Sequence, residues 1–134
     1  MRFHQDDRAV RYCDIFYVMK EGDINVSIVY PGTIAAWHRH EHQTDYQIVL
    51  KGALKIGLCD KPLSHGGEVK WHYLSERNAK QGPLVIPPGI WHGSFNFTQD
   101  PAILVYFITQ KYDGSDEQRA TVEEMGFDWS RPIK

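Results

Sequence analysis

Between Asp23 and Tyr30, the residues Ile24, Val26, Ile28 and Tyr30 alternate with Asn25, Ser27 and Val29. Successive side chains of a strand point to opposite faces, so a period of two marks a strand whose faces meet different surroundings. Pro31-Gly32 closes the run as a turn. Similar short segments recur over 12–19, 46–51, 54–58, 69–74, 84–86, 92–97 and 102–109. They are separated by Lys51-Gly52, His65-Gly66-Gly67, Gln81-Gly82-Pro83, Pro87-Pro88-Gly89 and Gln99-Asp100-Pro101. These clusters supply the positive and fixed φ angles that chain reversals need. Short strands at near-regular spacing predict an all-β sandwich or barrel.

One short helix is expected near the end. Ser115-Asp116-Glu117-Gln118 reads as a capping box, Thr121 with Glu124 is a competing start, and Gly126 terminates the segment. A length of 134 residues suits one domain with a real core and leaves no room for a second catalytic lobe. With 42% hydrophobic and 24% charged residues, the composition fits a soluble globular fold and excludes a disordered chain or a membrane bundle. Fifteen Lys and Arg against seventeen Asp and Glu leave a net charge of -2, without the positive field that nucleic acid demands. No nucleic-acid partner is expected. The stretch Met1 to Arg8 is too polar for a signal-peptide core, and the longest apolar run, 102–108, is far below the ~20 residues of a membrane helix. Cys13 and Cys59 form no CxxC pair and no disulfide framework. Together these features predict a cytoplasmic protein without membrane contact.

The densest chemical signal is Trp37-His38-Arg39-His40-Glu41-His42-Gln43-Thr44-Asp45. On a strand, His38 and His40 project to one side while Trp37 and Arg39 project to the other. Two imidazoles on one face can share a target. A carboxylate and a histidine from another strand would complete a mixed nitrogen and oxygen site that suits Fe, Mn, Zn, Ni or Cu, and Asp45 and His92 are the natural partners. The surrounding spacing gives this pair weight. One block holds Gly32, His38, His40, Asp45 and Gly52, and a second holds Gly82, Pro87, Gly89, His92 and Asn96. By alternation, Trp37 and Trp91 pack outside the lumen, whereas Cys59, opposite in phase to Leu54, Ile56 and Leu58, turns toward the pocket.

This two-block pattern resembles the conserved motifs of the cupin superfamily. The resemblance implies a jelly-roll β-barrel with a short C-terminal helix. It also implies a single domain over 1–134, with the barrel over roughly 12–110 and a C-terminal extension over 111–134. In that pattern His38, His40, Asp45 and His92 face the lumen and hold a divalent transition metal, with Asp45 standing where Glu is usual.

Finer motifs are similar to those of the dTDP-4-dehydrorhamnose 3,5-epimerases and their shorter relatives. They are Gly32-Thr33-Ile34 leading into His38, Gln43-Thr44-Asp45-Tyr46, Leu84-Val85-Ile86-Pro87-Pro88-Gly89 before His92-Gly93, and Val105-Tyr106-Phe107 running on to Tyr112. The resemblance implies an epimerase or isomerase of a dTDP-linked 4-keto-6-deoxy sugar, working by proton abstraction next to the ketone. Such chemistry needs a base, an enolate stabiliser and an acid on the opposite face. By resemblance His38 is the base and Tyr106 the acid; imidazole has an unperturbed pKa of ~6.5 and phenol ~10. Tyr106 also lies in the apolar run 103–108, where an aromatic residue is as readily core as catalyst. The substrate contacts are expected at Arg39, Gln47, Lys55, His92 and Asn96. A homodimer is implied as well, with N-terminal strands pairing across subunits.

Four positions depart from the epimerase pattern. Ala35-Ala36 stands where those enzymes carry an Arg-Gly pair that meets the nucleotide diphosphate, His40 stands where they carry Gln, and Asp45 where they carry Lys. Arg39, Lys55 or Lys61 would then have to meet the phosphates. A bare aspartate repels an enolate, so a metal is expected to replace the lysine as electrophile. If His38 is a ligand, its lone pair is engaged, and Tyr106, His42 or a metal-bound hydroxide would take the proton. Asp60 and Asp128 are candidate orienters of a histidine. The rival readings are a metal-dependent cupin of another reaction type, such as an oxygenase, and a non-catalytic sugar-binding cupin.

Overall fold

The computed structural model describes residues 1–130. In chain order its elements are β1 (Arg2–Gln5), β2 (Ala9–Cys13), β3 (Asp23–Val29), β4 (Ile34–His40), β5 (Asp45–Lys51), β6 (Ala53–Cys59), β7 (Lys70–Ser75), β8 (Leu84–Ile86), β9 (Trp91–Phe95), β10 (Ala102–Ile108), β11 (Glu117–Arg119) and α1 (Val122–Met125). The strands form a six-stranded sheet in the order β1-β2-β3-β10-β5-β8 and a five-stranded sheet in the order β11-β4-β9-β6-β7. Neighbouring strands pair antiparallel, and the two sheets enclose a cavity of about 950 Å³.

The larger sheet inverts the usual pattern. Along β3, Asp23, Asn25, Ser27 and Val29 are buried, while Ile24, Val26 and Ile28 on the opposite face remain half-exposed. Register carries the inversion across the sheet. Asn25, Tyr106 and Gln47 form one inward row, and Val26, Val105 and Ile48 form one outward row. Polar groups thus line the cavity alongside Val29, Leu104 and Ile108, and apolar groups coat the outside.

Two apolar clusters hold the fold. Val29, Val49, Leu54, Ile56 and Leu104 fill one end of the space between the sheets. Trp37, Trp91, Met125, Phe127 and Trp129 form the second, where the C-terminal segment lies over the outer face of the smaller sheet. Trp37 and Trp129 approach to 5.0 Å between ring centroids. Gly57 makes that approach feasible, because a Cβ there would stand 2.7 and 2.8 Å from the Trp71 and Trp37 rings. The Trp37 and Trp91 rings therefore pack in this outer cluster, although Trp37 also borders the cavity. Cys59 joins the same outer cluster instead of the pocket, and burial pushes its thiol up to about 11.

Two local expectations are corrected. The segment 12–19 is strand only as far as Cys13: Asp14 adopts a φ of 53°, and the chain turns there with Phe16, Tyr17 and Val18 exposed. These apolar residues face solvent, so their alternation reports no core. Ser115 and Asp116 lie in a 3-10 turn capped by Asp113, not at a helix start, because the Asp116 carboxylate is taken by backbone N–H groups of another loop. The competing start holds. Thr121 and Glu124 form the capping box of α1, and Gly126, at a φ of 82°, ends it.

Candidate active site

His38 and His40 lie on β4, His92 on the neighbouring β9 and Asp45 at the start of β5 in the opposite sheet. Register sets His38 beside His92, with ring centroids 4.0 Å apart. One donor atom from each of the four residues lies within 4.8 Å of the others. All four line the cavity. Strand alternation turns both β4 imidazoles inward, and the antiparallel partner supplies the third.

Hydrogen bonds orient these groups. The Ile90 carbonyl can only accept, so His92 donates from Nδ1 at 3.0 Å and its Nε2 faces Asp45 in the cavity. That Nε2 is 3.6 Å from Asp45 Oδ2 and makes no hydrogen bond. The Gln43 amide donates to Asp45 Oδ1 at 2.7 Å and lies 3.3 Å from His40 Nε2. Burial alone would raise the Asp45 carboxyl, but His92 and Gln43 together hold it below the usual carboxylate range. Burial, then the neighbouring His92 and His40, holds His38 well below the ordinary imidazole value. Burial likewise lowers His40, against the opposing pull of Asp45. Burial thus favours the neutral form of His38 and His40, which together with the Asp45 carboxylate are a donor set.

The residues present fit a divalent metal. Three imidazoles and one carboxylate form a mixed nitrogen and oxygen set suited to first-row transition ions. His92 Nε2 and Asp45 Oδ2 face one another at 3.6 Å with no hydrogen bond formed by that nitrogen, an arrangement that a cation between them would satisfy.

The other expected residues divide. Tyr106 and Gln47 line the cavity from the larger sheet, opposite the β4 and β9 histidines. Burial raises the Tyr106 phenol to about 12. Gln47 is buried, and its Oε1 has no hydrogen-bond partner. Arg39 and Lys55 are not among the cavity-lining residues, because they fall on the outer phase of their strands. Arg39 stacks over Trp91 and donates to Gln118, and Lys55 donates to the Trp129 carbonyl at 2.7 Å. Lys61, Asp60 and His42 also stand off the cavity wall, and Asp128 holds the Ser130 N–H and hydroxyl. Asn96 is fully buried, and its amide ties the Val29 and Asp100 carbonyls, which is loop architecture.

Some participants carry no sequence signal of their own. The Asp116 carboxylate accepts the N–H groups of Glu41, His42 and Gln43 and the Gln110 amide, fixing the loop that presents Gln43 to Asp45. These bonds hold Asp116 below the usual carboxylate range although burial opposes them. Arg11 and Arg119 reach the cavity from β2 and β11. Only the paired strands, far apart in the chain, bring them there.

A small barrel of two antiparallel sheets, with histidines and an acid gathered inside it, is a cupin. Among solved structures of that fold, a dTDP sugar isomerase from Desulfovibrio desulfuricans G20 superposes with a TM-score of 0.72 at 21% identity, covering 98% of this chain and 88% of that one. The capsular polysaccharide assembling protein CapF from Staphylococcus aureus superposes with a TM-score of 0.75 at 20% identity, over 90% of this chain but only 32% of that longer one. No family model matches the chain. Two curated proteins do. The probable low-salt glycan biosynthesis epimerase Agl13 of Haloferax volcanii is 32% identical over 114 residues, 80% of this chain and 72% of that protein. The spore coat polysaccharide biosynthesis protein SpsL of Bacillus subtilis is 33% identical over 119 residues, 84% of this chain and 78% of that protein. The chain belongs to this family of cupin sugar epimerases and isomerases of glycan and polysaccharide biosynthesis.

Proposed function

We infer that the chain epimerises or isomerises a nucleotide-linked keto sugar, in its most specific form a dTDP-linked 4-keto-6-deoxy sugar, by proton abstraction next to the ketone. The observation that carries this reading is that His38 and Tyr106 line one cavity from opposite sheets. His38, kept neutral by burial and by the neighbouring imidazoles, has a lone pair free to take a proton. Tyr106, kept protonated by burial, donates from the opposite wall. Inversion at carbon requires donor and acceptor on opposite faces of the sugar ring. Gln47 sits beside Tyr106 in register and offers its Oε1 to a substrate hydroxyl.

A second reading rests on the unpartnered His92 Nε2 facing Asp45. A divalent transition metal held by His38, His40, Asp45 and His92 would polarise the ketone oxygen when bound. His38 then orients the site and takes no proton. The two readings separate in one experiment: the purified protein is incubated with a dTDP-4-keto-6-deoxyhexose with and without a chelator, and the epimeric product is followed by NMR. Conversion that survives chelation supports His38 as base, and conversion abolished by chelation supports the metal. Absence of conversion in both arms contradicts the reading itself.

A second copy of the chain belongs to the same proposal. It is supported by the outer face of the larger sheet, where Val26, Val105, Ile48, Ile24, Phe107 and Tyr46 lie in two cross-strand rows. The C-terminal segment covers the corresponding face of the smaller sheet only. A cytoplasmic site of action is proposed too, in keeping with Cys13 and Cys59 as free thiols. No helix among the described residues is long and apolar enough to cross a membrane.

A further inference from the structure

Gln43 touches two members of the His38, His40, Asp45 and His92 cluster at once. Its side-chain nitrogen donates to Asp45 Oδ1 at 2.7 Å and lies 3.3 Å from His40 Nε2. The side chain is buried on the cavity wall, and the Gln43 backbone is anchored by its N–H, which donates to Asp116 Oδ2 at 3.2 Å. The orientation of the amide follows from its partners. Turned over, its carbonyl oxygen would stand against the Asp45 carboxylate, acceptor to acceptor. An amide nitrogen only donates, so His40 Nε2 is the acceptor of the second bond. An imidazole whose Nε2 accepts carries its one proton on Nδ1 and has no other lone pair. His40 Nδ1 is buried without a hydrogen-bond partner, so nothing on that side competes with Gln43 in setting the tautomer. While the Gln43 bond stands, neither nitrogen of His40 is open to a cation. The facing pair differs: the Ile90 carbonyl ties His92 Nδ1, and His92 Nε2, without a hydrogen bond, meets Asp45 Oδ2 across 3.6 Å.

We propose that Gln43 is a gate on the fourth ligand: its amide keeps His40 out of a metal site begun by His38, His92 and Asp45, and His40 joins only when that amide turns away. This inference rests on the metal reading above and gives Gln43 a positioning role within it. Opening the gate gives up one buried hydrogen bond, which is worth about a factor of five in an equilibrium constant. The cavity that Gln43 lines, of about 950 Å³, leaves the amide space to turn. The consequence is a choice of coordination. Three protein donors leave a position free for an oxygen of the substrate, whereas a fourth donor takes one up. A positioning residue that supported His40 as a ligand would act in the opposite direction, so the sign of the coupling between Gln43 and His40 separates the two roles.

The test is a double-mutant cycle on Co²⁺ affinity, measured by calorimetry on chelator-treated protein, over the wild type, His40→Ala, Gln43→Ala and the combined variant. Gln43 also steadies Asp45, so Gln43→Ala alone shifts affinity little, and the cycle isolates the part that runs through His40. His40→Ala is expected to cost about five- to tenfold more affinity in the Gln43→Ala background than in the wild type, the worth of one buried hydrogen bond. Equal costs in the two backgrounds overturn the gate. A smaller cost in the Gln43→Ala background overturns it too, because Gln43 would then support His40 as a ligand. Gln43→Leu replaces Gln43→Ala if the latter melts early. Imidazole nitrogen NMR of the metal-free wild type reads the gate without any substitution: the His40 proton is expected on Nδ1, and a proton on Nε2 contradicts the gate. Co²⁺ binding by the wild type with an additive cycle means that the gate is wrong and the metal site stands. Absence of Co²⁺ binding in every member of the cycle removes the metal reading and the gate with it.

Discussion

Asp45 is the residue that changes the chemistry of the pocket. A lysine at that position would stabilise an enolate by Coulomb attraction, whereas the carboxylate here sits 3.6 Å from an imidazole nitrogen and is held ionised by His92 and Gln43. Removing either member of that facing pair removes one donor from the four. Asp45→Asn and His92→Ala are each expected to weaken Co²⁺ or Zn²⁺ binding at least tenfold, read by isothermal titration; affinities equal to wild type would contradict the cluster as a metal site. Gln43→Ala is expected to have a smaller effect through a less constrained Asp45. The four cluster residues were readable because strand periodicity and two motif blocks place them on one side of neighbouring strands. Gln43, Asp116, Arg11 and Arg119 were not, because their roles arise from contacts such as the bond of the Asp116 carboxylate to the Gln43 N–H, 73 residues away. The outward positions of Arg39 and Lys55 follow from the same alternation that turns His38 and Leu54 inward.

Single elements make their own predictions. The β1–β2 hairpin turns on Asp6, whose carboxyl partial burial would raise, but which the Arg8 N–H and the Arg11 and Arg8 guanidiniums hold far below its ordinary value of 3.8. A depressed carboxyl contributes stability that is present above its unfolded value and is lost as pH falls toward its folded value. Asp6→Asn should therefore lower the urea midpoint at pH 7, and its difference from wild type should shrink progressively below about pH 4. A difference that persists unchanged at pH 2 would contradict the hydrogen-bond assignment. At the other end, Thr121→Ala removes the cap of α1 and is expected to cost about 1 kcal/mol, measured by urea denaturation. Most strands were legible from alternation and Gly-Pro punctuation. The 12–19 segment was misread because Phe16, Tyr17 and Val18 mimic a core pattern while facing solvent. Strands β1 and β11 were missed because short, polar edge segments have no apolar period to read.

For the whole molecule, the asymmetry between the sheets matters most. One outer face lies under the C-terminal segment, and the other presents rows of isoleucine, valine and aromatic side chains over a polar interior. An uncovered apolar face of this kind predicts a two-fold dimer. Light scattering should give twice the 15.5 kDa chain mass for the wild type and a monomer for Val105→Asp. A monomeric wild type would leave that face unexplained and contradict the proposal. The central claim concerns what the enclosed cavity does to a ketone. It is tested most directly by following solvent deuterium into the carbon next to the ketone of a dTDP-4-keto-6-deoxyhexose, in wild type, His38→Ala and Tyr106→Phe. The account predicts exchange with inversion in the wild type, exchange without inversion in Tyr106→Phe and at least a hundredfold loss of exchange in His38→Ala, within the range of ~10²–10⁴ for a general base. Exchange at the wild-type rate in folded His38→Ala would contradict it.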